Sequence, residues 1–510
     1  MLLPGMGTHH HPIATKIPLA QKFFDQGFTL IFAFNHDEAV RSFQRSAELD
    51  PSAAMPHWGI ALALGPNINL DVDPEREKAA FDAVVKALSL AASAPEHERA
   101  YIQALAKRYS GDPKADLKKL AVDYKNAMAE LVRRYPDDLD LAVLYAESMM
   151  DLRPWQLWTP DGKPAEGTEE IVSVLESVIR RDPRHVGANH YYIHAVEASQ
   201  TPERALPSAA RMADLVPGAG HLVHMPGHIY LRTGDFEAAA KTNERAAQAD
   251  RDYIRRTGAT GVYPLMYYTH NLHFIAVARA EEGRFEESKR AADQLYANIK
   301  PALKEMPMIE GFAPIPIFML MRFHKWDQIL KLVAPDATST VTAAAWHFGR
   351  ASALAATGKP REAEAAAQEF EAARAKVAAE AMMGNNSALN IFKVASASLH
   401  ARLAGDGKTA IERWRKAVEA QDSLAYDEPP GWYYPVRESL GAEMLRDGDA
   451  AGAEKIFREA LAANPRNGRL LFGLWQSLQA QKKATDAAYV QREFEAAWKN
   501  APIKLTLDQL

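Results

Sequence analysis

The sequence predicts an all-α fold in which antiparallel helix pairs follow one another along the chain. Alanine-rich stretches are common and alternating Val/Ile/Thr patterns are few, which favours helices over strands. The chain has 510 residues, more than one compact core needs, so it holds several domains or a repeat array. His190 and His224 lie in similar segments 34 residues apart, and such a period is typical of helical repeats.

The segment AQKFFDQGFTLIFAFNHDEAVRSFQRSAELDP contains the packing residues of one repeat. Gly27 and Ala39 are small enough to let two helices approach closely, Phe43 fills the seam between them, and Pro51 begins the next turn. A second set lies near the C terminus and consists of Gly441, Ala453, Phe457, Ala460 and Pro465. Period and residues match the tetratricopeptide (TPR) repeat. We therefore expect a TPR-like α-solenoid, a right-handed superhelix of helix pairs that could close around a central pocket.

Breaks in the helical pattern divide the chain into four parts. These are an N-terminal arm (1–18), N-terminal TPR-like helices (19–137), His-rich central units (138–300), and C-terminal units with a cap (301–510). One helix is expected to end near Leu64, before Gly65-Pro66, and three amphipathic helices are expected within residues 75–135. Residues 251–266 interrupt the repeat period, and we interpret them as an insertion that could close over the groove.

Seven histidines recur in phase in three consecutive segments, ANHYYIHAVEAS, GHLVHMPGHIYLR and MYYTHNLHF. Residues three or four apart share one face of a helix. Alignment on the repeat places these histidines, with Glu197, on the first helix of each unit, which lines the concave face of such arrays. The predicted metal ligands are His190, His194, His221, His224, His228, His270 and His273. We expect their imidazoles to converge on one place.

Imidazole suits zinc, copper and iron, so the histidine stripe predicts a transition-metal site without naming the metal. Seven histidines exceed the four ligands of one tetrahedral ion. Two ions, or one ion with supporting residues, are therefore both open. HYYIH has zinc-protease spacing but carries Tyr191 where that motif has Glu, so no protease is predicted. Glu197 is a candidate base, and Tyr191 and Tyr268 become candidates for oxygen chemistry if the metal is copper or iron.

Three further features of the sequence either extend this site or have no part in it. Histidines 9–11 are consecutive and cannot share a helical face, so they belong to a solvated tail or to an arm that folds back to deliver a ligand. Glu147 and Asp151 lie one turn apart on a predicted helix, where they join the site or face solvent. His36 is interpreted as a turn or capping residue.

Several strings in the chain are too irregular for a generic TPR consensus. They are GTHHHPI, AQKFFDQG, FNHDEAVRSF, WGIALALGPN, MDLRPW, ANHYYIHAVEAS, GAGHLVHMPGHIYLR, MYYTHNLHF and DEPPGWYYPVRESLGAE. With them the chain resembles, over nearly its full length, a family of bacterial TPR-repeat proteins with His-rich motifs. The resemblance implies the TPR fold and no particular reaction, because none is settled for that family. Its members often look exported.

Composition excludes several function classes. A net charge of −5 and a pI of about 6.4 give no reason to expect nucleic acid or an anionic membrane. No apolar run approaches the roughly 18 residues that span a bilayer. Cysteine is absent, which excludes disulfides and thiolate ligands and suits an exported, periplasmic protein, although cytoplasmic proteins can also lack it. The start, MLLPGMGTHHHPI, does not read as a signal peptide.

Three functions fit these observations. The first is a metal-dependent enzyme, hydrolytic or oxidative, that acts on a small molecule. The second is a scaffold that binds a peptide or protein in its concave groove without catalysis, and the third is a metal storage or delivery protein. Phosphate-cradling Gly-rich loops and the G-x-S-x-G elbow are absent from the sequence, so nucleotide-dependent and serine-hydrolase functions are not expected.

Overall fold

The structure, a computed structural model, describes residues 1–336 and 338–510. Within these residues the regular structure is almost entirely helical. One short antiparallel hairpin pairs β1 (Met382–Met383) with β2 (Asn386–Ser387). The prediction of an all-α fold is therefore confirmed. No helix in the described part of the chain is long and apolar enough to cross a membrane.

The chain divides into two compact units, Met1–Ile229 with Gln248–Ala259, and Tyr230–Ala247 with Thr260–Leu510. The helices of the first unit are α1 (Pro18–Phe32), α2 (His36–Leu49), α3 (Met55–Leu64), α4 (Pro74–Leu90), α5 (Glu96–Leu105), α6 (Leu117–Arg134), α7 (Leu139–Met150), α8 (Thr168–Arg181), α9 (Val186–Glu197), α10 (Leu206–Leu215) and α11 (Gly220–His224). Two helices contain residues of both units, α12 (Pro226–Arg232) and α13 (Phe236–Thr257).

The helices of the second unit follow without a long break. They are α14 (Tyr268–Glu281), α15 (Phe285–Ile299), α16 (Ile315–Arg322), α17 (Trp326–Ile329), α18 (Thr340–Ala356), α19 (Pro360–Arg374), α20 (Ala388–Arg402), α21 (Gly407–Asp422), α22 (Arg437–Arg446), α23 (Ala450–Ala463), α24 (Gly468–Ala480) and α25 (Ala484–Ala497). Within each unit, consecutive helices pack in pairs, such as α1 with α2, α8 with α9, α18 with α19 and α24 with α25. This is the arrangement that the repeat pattern predicts.

The seam residues of the repeat pack as expected. A β-carbon on Gly27 of α1 would lie 2.8 Å from the ring of Phe43 on α2, and one on Gly59 of α3 would lie 2.6 Å from that ring. Any larger side chain would therefore displace the buried phenyl ring. In the second unit Phe457 of α23 fits in the same way against Gly441 and Gly473. One aromatic residue thus joins the helices before and after it.

Most helix ends match the breaker residues. Helix α3 ends at Leu64, and α4, α5 and α6 fill the region where three helices were expected. The segment 251–266, predicted as an insertion, is largely helical. Helix α13 continues through Thr257, and a π-helical turn covers Tyr263–Tyr267. Its closing over a groove stays a prediction.

The N-terminal arm packs against the first unit. The backbone N–H of Leu3 donates to the side-chain oxygen of Gln26 at 2.6 Å, and the N–H of Gly218 donates to the carbonyl of Gly5 at 2.9 Å. The prediction of a solvated tail is therefore wrong for this segment. Its backbone is held because buried donors and acceptors of the helices need partners.

Candidate metal centre

Helix α9 is buried along its whole length, from Val186 to Glu197. The helix therefore lacks a polar outer face, although it carries His190, His194 and Glu197. Polar side chains in such a position must find partners inside the protein. Those partners define the site.

Three imidazoles are held through their Nδ1 atoms by oxygen acceptors. The Nδ1 of His190 lies 2.6 Å from the backbone carbonyl of Phe32. The Nδ1 of His194 lies 2.7 Å from one carboxylate oxygen of Glu197, and the Nδ1 of His228 contacts the other oxygen. A carbonyl or ionised carboxylate only accepts, so each Nδ1 donates. In a neutral ring this leaves Nε2 as a bare lone pair.

Burial lowers the pKa of three rings in the cluster. It lowers the pKa of His190 and His221 well below the ordinary value, and the neighbouring histidines lower both further. Burial also lowers the pKa of His194, against the opposing effect of Glu197. The pKa of Glu197 itself would rise on burial, but His228 and His194 outweigh this and lower it to about 2. The carboxylate is thus ionised near pH 7, and the rings of His190, His194 and His221 are neutral there.

The Nε2 atoms face one another. The Nε2 of His221 lies 3.1 Å from that of His190, and the Nε2 of His224 lies 2.7 Å from that of His228. The Nε2 of His194 is buried and has no hydrogen-bond partner. Two ligands of a tetrahedral zinc ion, each about 2.0–2.1 Å from the metal, are about 3.3 Å apart. The 3.1 Å separation between His190 and His221 is close to this spacing, whereas the 2.7 Å separation between His224 and His228 is that of a hydrogen bond.

Two sets of three donor atoms could hold a metal in the first unit. One set comprises His190, His194 and His221, and the other comprises His194, Glu197 and His228; the donors of each lie within 4.8 Å of one another. His194 belongs to both sets. The donor types, imidazole with one carboxylate, fit zinc, copper or iron.

An aromatic ring covers one side of the cluster. Phe34 lies in the turn between α1 and α2 with a φ of 53°. Its ring centroid is 4.7 Å from that of His190, and it stacks on His221 at 5.2 Å and on His194 at 6.0 Å. A phenylalanine in the left-handed region is unusual. The strained turn places an apolar cover over the imidazoles, which keeps water from them.

The structure brings five of the seven predicted ligands together in the first unit, along with Glu197. The other two lie on α14 in the second unit, where the His270 ring is 5.0 Å from Phe274 and the His273 ring is 6.1 Å from Phe312. Burial lowers the pKa of His273 to about 4. Tyr268 begins the same helix. The inclusion of these three residues in the site stays a prediction.

Tyr191 follows His190 on α9 and is almost completely buried. Its hydroxyl has no hydrogen-bond partner, and its ring centroid lies 5.2 Å from that of His190. Both of the oxygens of Glu197 are held by imidazoles. Glu197 therefore holds two imidazoles in this structure, and its action as a base stays a prediction. The Tyr191 hydroxyl is available for a further partner.

Several functional contacts have no signal in the sequence. The Phe32 carbonyl is a backbone atom, and Phe34 reads as an ordinary aromatic residue in a turn. The arm histidines also behave differently from either expectation. His9 Nε2 and His11 Nδ1 lie 3.2 Å and 2.7 Å from the carboxylate of Asp140. The arm does fold back, but these two rings pack around a buried carboxylate.

The buried His36 is expected to make the stability of the first unit depend on pH. It is buried at the start of α2, with the Asn67 amide 3.4 Å from its Nδ1. Burial lowers its pKa to about 4, with Arg76 and Arg108 adding to the effect. Because the folded pKa lies below the ordinary value of about 6.5, its contribution to stability is complete above pH 6.5. It is lost as the pH falls from 6.5 towards 4.

We expect His36→Gln to remove up to about 3 kcal/mol of the decline in unfolding free energy between pH 7 and pH 4. Urea unfolding of both proteins at the two pH values measures this difference. His10→Gln is the matched control, since its side chain is 59% exposed. Parallel pH dependences in the wild type and His36→Gln would contradict the expectation.

Comparisons with known proteins concern the fold only. No protein-family model matches the chain, and no curated protein matches it. The chain is similar to three solved structures. They are the human IFIT1 dimer with m7Gppp-AAAA (13% identity, 95% of this chain and 91% of that chain, TM-score 0.37), the APC/C hetero-tetramer Cut9-Hcn1 (12%, 96% and 74%, 0.33) and yeast Tom70 (11%, 94% and 90%, 0.32).

The fold itself is shown by the stacked helix pairs and their aromatic seams. The chain is a TPR-like helical-repeat protein. Identities of 11–13% do not transfer a ligand or an activity from those structures.

Proposed function

We propose that the first unit binds a transition-metal ion, zinc, copper or iron, through the Nε2 atoms of its clustered histidines. We further propose that the protein is a metal-dependent enzyme acting on a small molecule. The observation that carries the proposal is the buried Nε2 of His194, which has no partner, on a residue that belongs to both candidate donor sets.

An ordinary hydrogen-bonded interior is a poor account of this cluster. A buried acceptor that lacks a donor costs about 1–3 kcal/mol. Packing five histidines together adds charge repulsion as soon as two of them are protonated. Holding three rings by their Nδ1 atoms fixes the tautomer that bares Nε2, which a metal requires. Metal binding offsets both costs, whereas packing alone does not.

Each residue has a separable role in this proposal. His190, His194, His221, His224 and His228 supply candidate ligands. Glu197 and the Phe32 carbonyl fix ring orientation and raise ligand basicity. A bound ion would supply Lewis acidity and an activated water, or oxygen chemistry if it is redox-active. The Tyr191 hydroxyl beside the cluster is the candidate hydrogen-bonding group of this chain.

Metal analysis of protein produced without a His tag tests the proposal. After separate loading with zinc, copper and iron and removal of free metal, we expect about one or two equivalents per chain with one metal. His347→Ala is the control, because that ring pairs with Glu369 in the second unit. Substoichiometric binding of all three metals would refute metal binding. Stoichiometric, exchangeable metal with no turnover of hydrolysable or oxidisable substrates would favour storage or delivery.

Glu197→Gln tests the orienting role. The amide keeps the shape but its nitrogen cannot accept, so one of the two Nδ1 contacts is lost. We expect metal affinity to fall about 10–100-fold, measured by competition with a chromophoric chelator. An affinity unchanged within about threefold, with the fold intact by circular dichroism, would contradict the role.

A further inference from the structure

A second buried polar group lies in the first unit, outside the histidine cluster. Arg108 follows α5, Glu147 is on α7 and Asp151 is the residue after α7. The Nη2 of Arg108 donates to the Pro66 carbonyl at 3.1 Å and to Oδ2 of Asp151 at 2.7 Å. The side chains of Arg108 and Asp151 are 4% and 5% exposed. Of the two alternatives for these acids, the one in which they face solvent is therefore wrong.

Many polar atoms of this group have no partner in the protein. Arg108 Nε and Nη1, Asp151 Oδ1, Glu147 Oε2 and the Tyr191 hydroxyl are buried and without hydrogen bonds. Tyr191 lies on α9, which packs against α7, and its hydroxyl is within electrostatic range of both acids and of Arg108. Native interiors leave few such atoms per hundred residues, so five in one place must be completed by buried water or by a bound molecule. The neighbouring Tyr124 ring, 5.1 Å from the guanidinium carbon, gives the group an apolar wall.

The unpaired atoms determine which hydrogen-bonding groups a bound molecule must carry. Arg108 offers donors on two nitrogens and Asp151 offers one acceptor oxygen, while the neutral Glu147 carboxyl and the Tyr191 hydroxyl can each donate or accept. A molecule that pairs them must present an acceptor and a donor close together. The net charge of the buried group also restricts which ligands can bind. Arg108 and Asp151 offset each other, and burial, with Asp151 nearby, raises the pKa of Glu147 well above its usual range. The group is therefore close to neutral, and burying a charged ligand there would be costly.

We propose that Arg108, Glu147, Asp151 and Tyr191 form a binding site for a small neutral molecule that carries adjacent acceptor and donor groups, as a carboxamide or a vicinal diol does. The site goes beyond metal binding and does not depend on it. Tyr191 connects the two, because it adjoins His190 in sequence and its ring lies beside that imidazole. If both proposals hold, this site identifies the substrate class of the metal centre.

Saturation-transfer NMR on the full-length protein tests the ligand class with acetamide, glycerol, acetate and methylammonium. We expect acetamide or glycerol to bind, and the better of the two assigns the amide or the diol. Acetate and methylammonium should bind at least about tenfold more weakly. The proposal is overturned if none of the four binds, or if a charged probe binds best.

Substitutions then test the residues. Asp151→Asn removes an acceptor and should weaken the better neutral probe about tenfold or more. Glu147→Gln should change it less than about threefold, because the acid is already uncharged. Tyr191→Phe removes only the unpaired hydroxyl and should weaken binding about threefold or more, which keeps the test decisive if Asp151→Asn does not fold. Glu438→Gln, at a buried ion pair of the second unit, is the control.

The metal content of Asp151→Asn separates this proposal from the preceding one. We expect unchanged metal stoichiometry with lost probe binding. Equal probe binding by wild type, Asp151→Asn and Tyr191→Phe would overturn the site even where metal binding holds. Retained probe binding in metal-free wild-type protein would support the site even where metal binding fails.

Discussion

His194→Ala is expected to lower the affinity of the protein for its metal by about 100-fold or more. His194 belongs to both candidate donor sets, so its loss leaves each with two donors. A loss greater than the 10–100-fold typical of outer-shell residues is expected for a ligand itself. Competition titration against a chelator, with metal content measured after dialysis, gives the change.

The control for this substitution is His347→Ala, which removes a histidine that is remote in sequence and half-buried in the second unit. It should retain wild-type affinity within about threefold. Circular dichroism establishes that both variants are folded. If His194→Ala and His347→Ala bind metal equally, the donor sets are wrongly assigned.

Phe43→Ala is expected to lower the unfolding free energy of the first unit by about 3–5 kcal/mol. The ring is fully buried and lies against Gly27 and Gly59. Deleting it empties the seam of two helix pairs. Val85→Ala, at a side chain that is 45% exposed, should change stability by less than about 0.5 kcal/mol.

Denaturant titrations followed by circular dichroism measure these changes, with the first transition analysed separately because two units need not unfold together. A loss of less than about 1 kcal/mol in Phe43→Ala would contradict the seam. It would mean that the helix pairs are held by other contacts.

The aromatic seam between helix pairs could be predicted from the sequence because the same residue types recur at the same repeat positions. Gly27, Phe43, Gly441 and Phe457 recur at repeat positions, and each has one packing reason that does not depend on distant residues. Helix ends such as Leu64 were readable for the same reason, since Gly and Pro act locally. The division into two units could not be predicted from the sequence, because it depends on which helices contact one another.

The site was readable only in part. His190, His194, His224 and His228 come together because helical spacing aligns each pair and because the repeat period brings the two segments together. The Phe32 carbonyl is invisible to such reasoning, since any residue carries one. Its role depends on α1 packing against α9.

For other side chains, the role depends on tertiary contacts that the sequence does not show. Phe34 covers the cluster only because of its backbone conformation in the turn. Glu197 is predicted to be a base, and the sequence does not show that its two oxygens contact the Nδ1 atoms of His194 and His228. Glu147 and Asp151 fitted a solvent-facing pattern equally well, and only the position of Arg108 explains their burial.

Anomalous diffraction at the zinc, copper and iron edges, from crystals of metal-loaded protein without a His tag, tests the central claim most directly. We expect a peak at one of these edges, within about 2.0–2.3 Å of the Nε2 of His194 and of at least one neighbouring histidine. A map with no anomalous peak at the cluster, and with Nε2 of His194 hydrogen-bonded to ordered water, would contradict it.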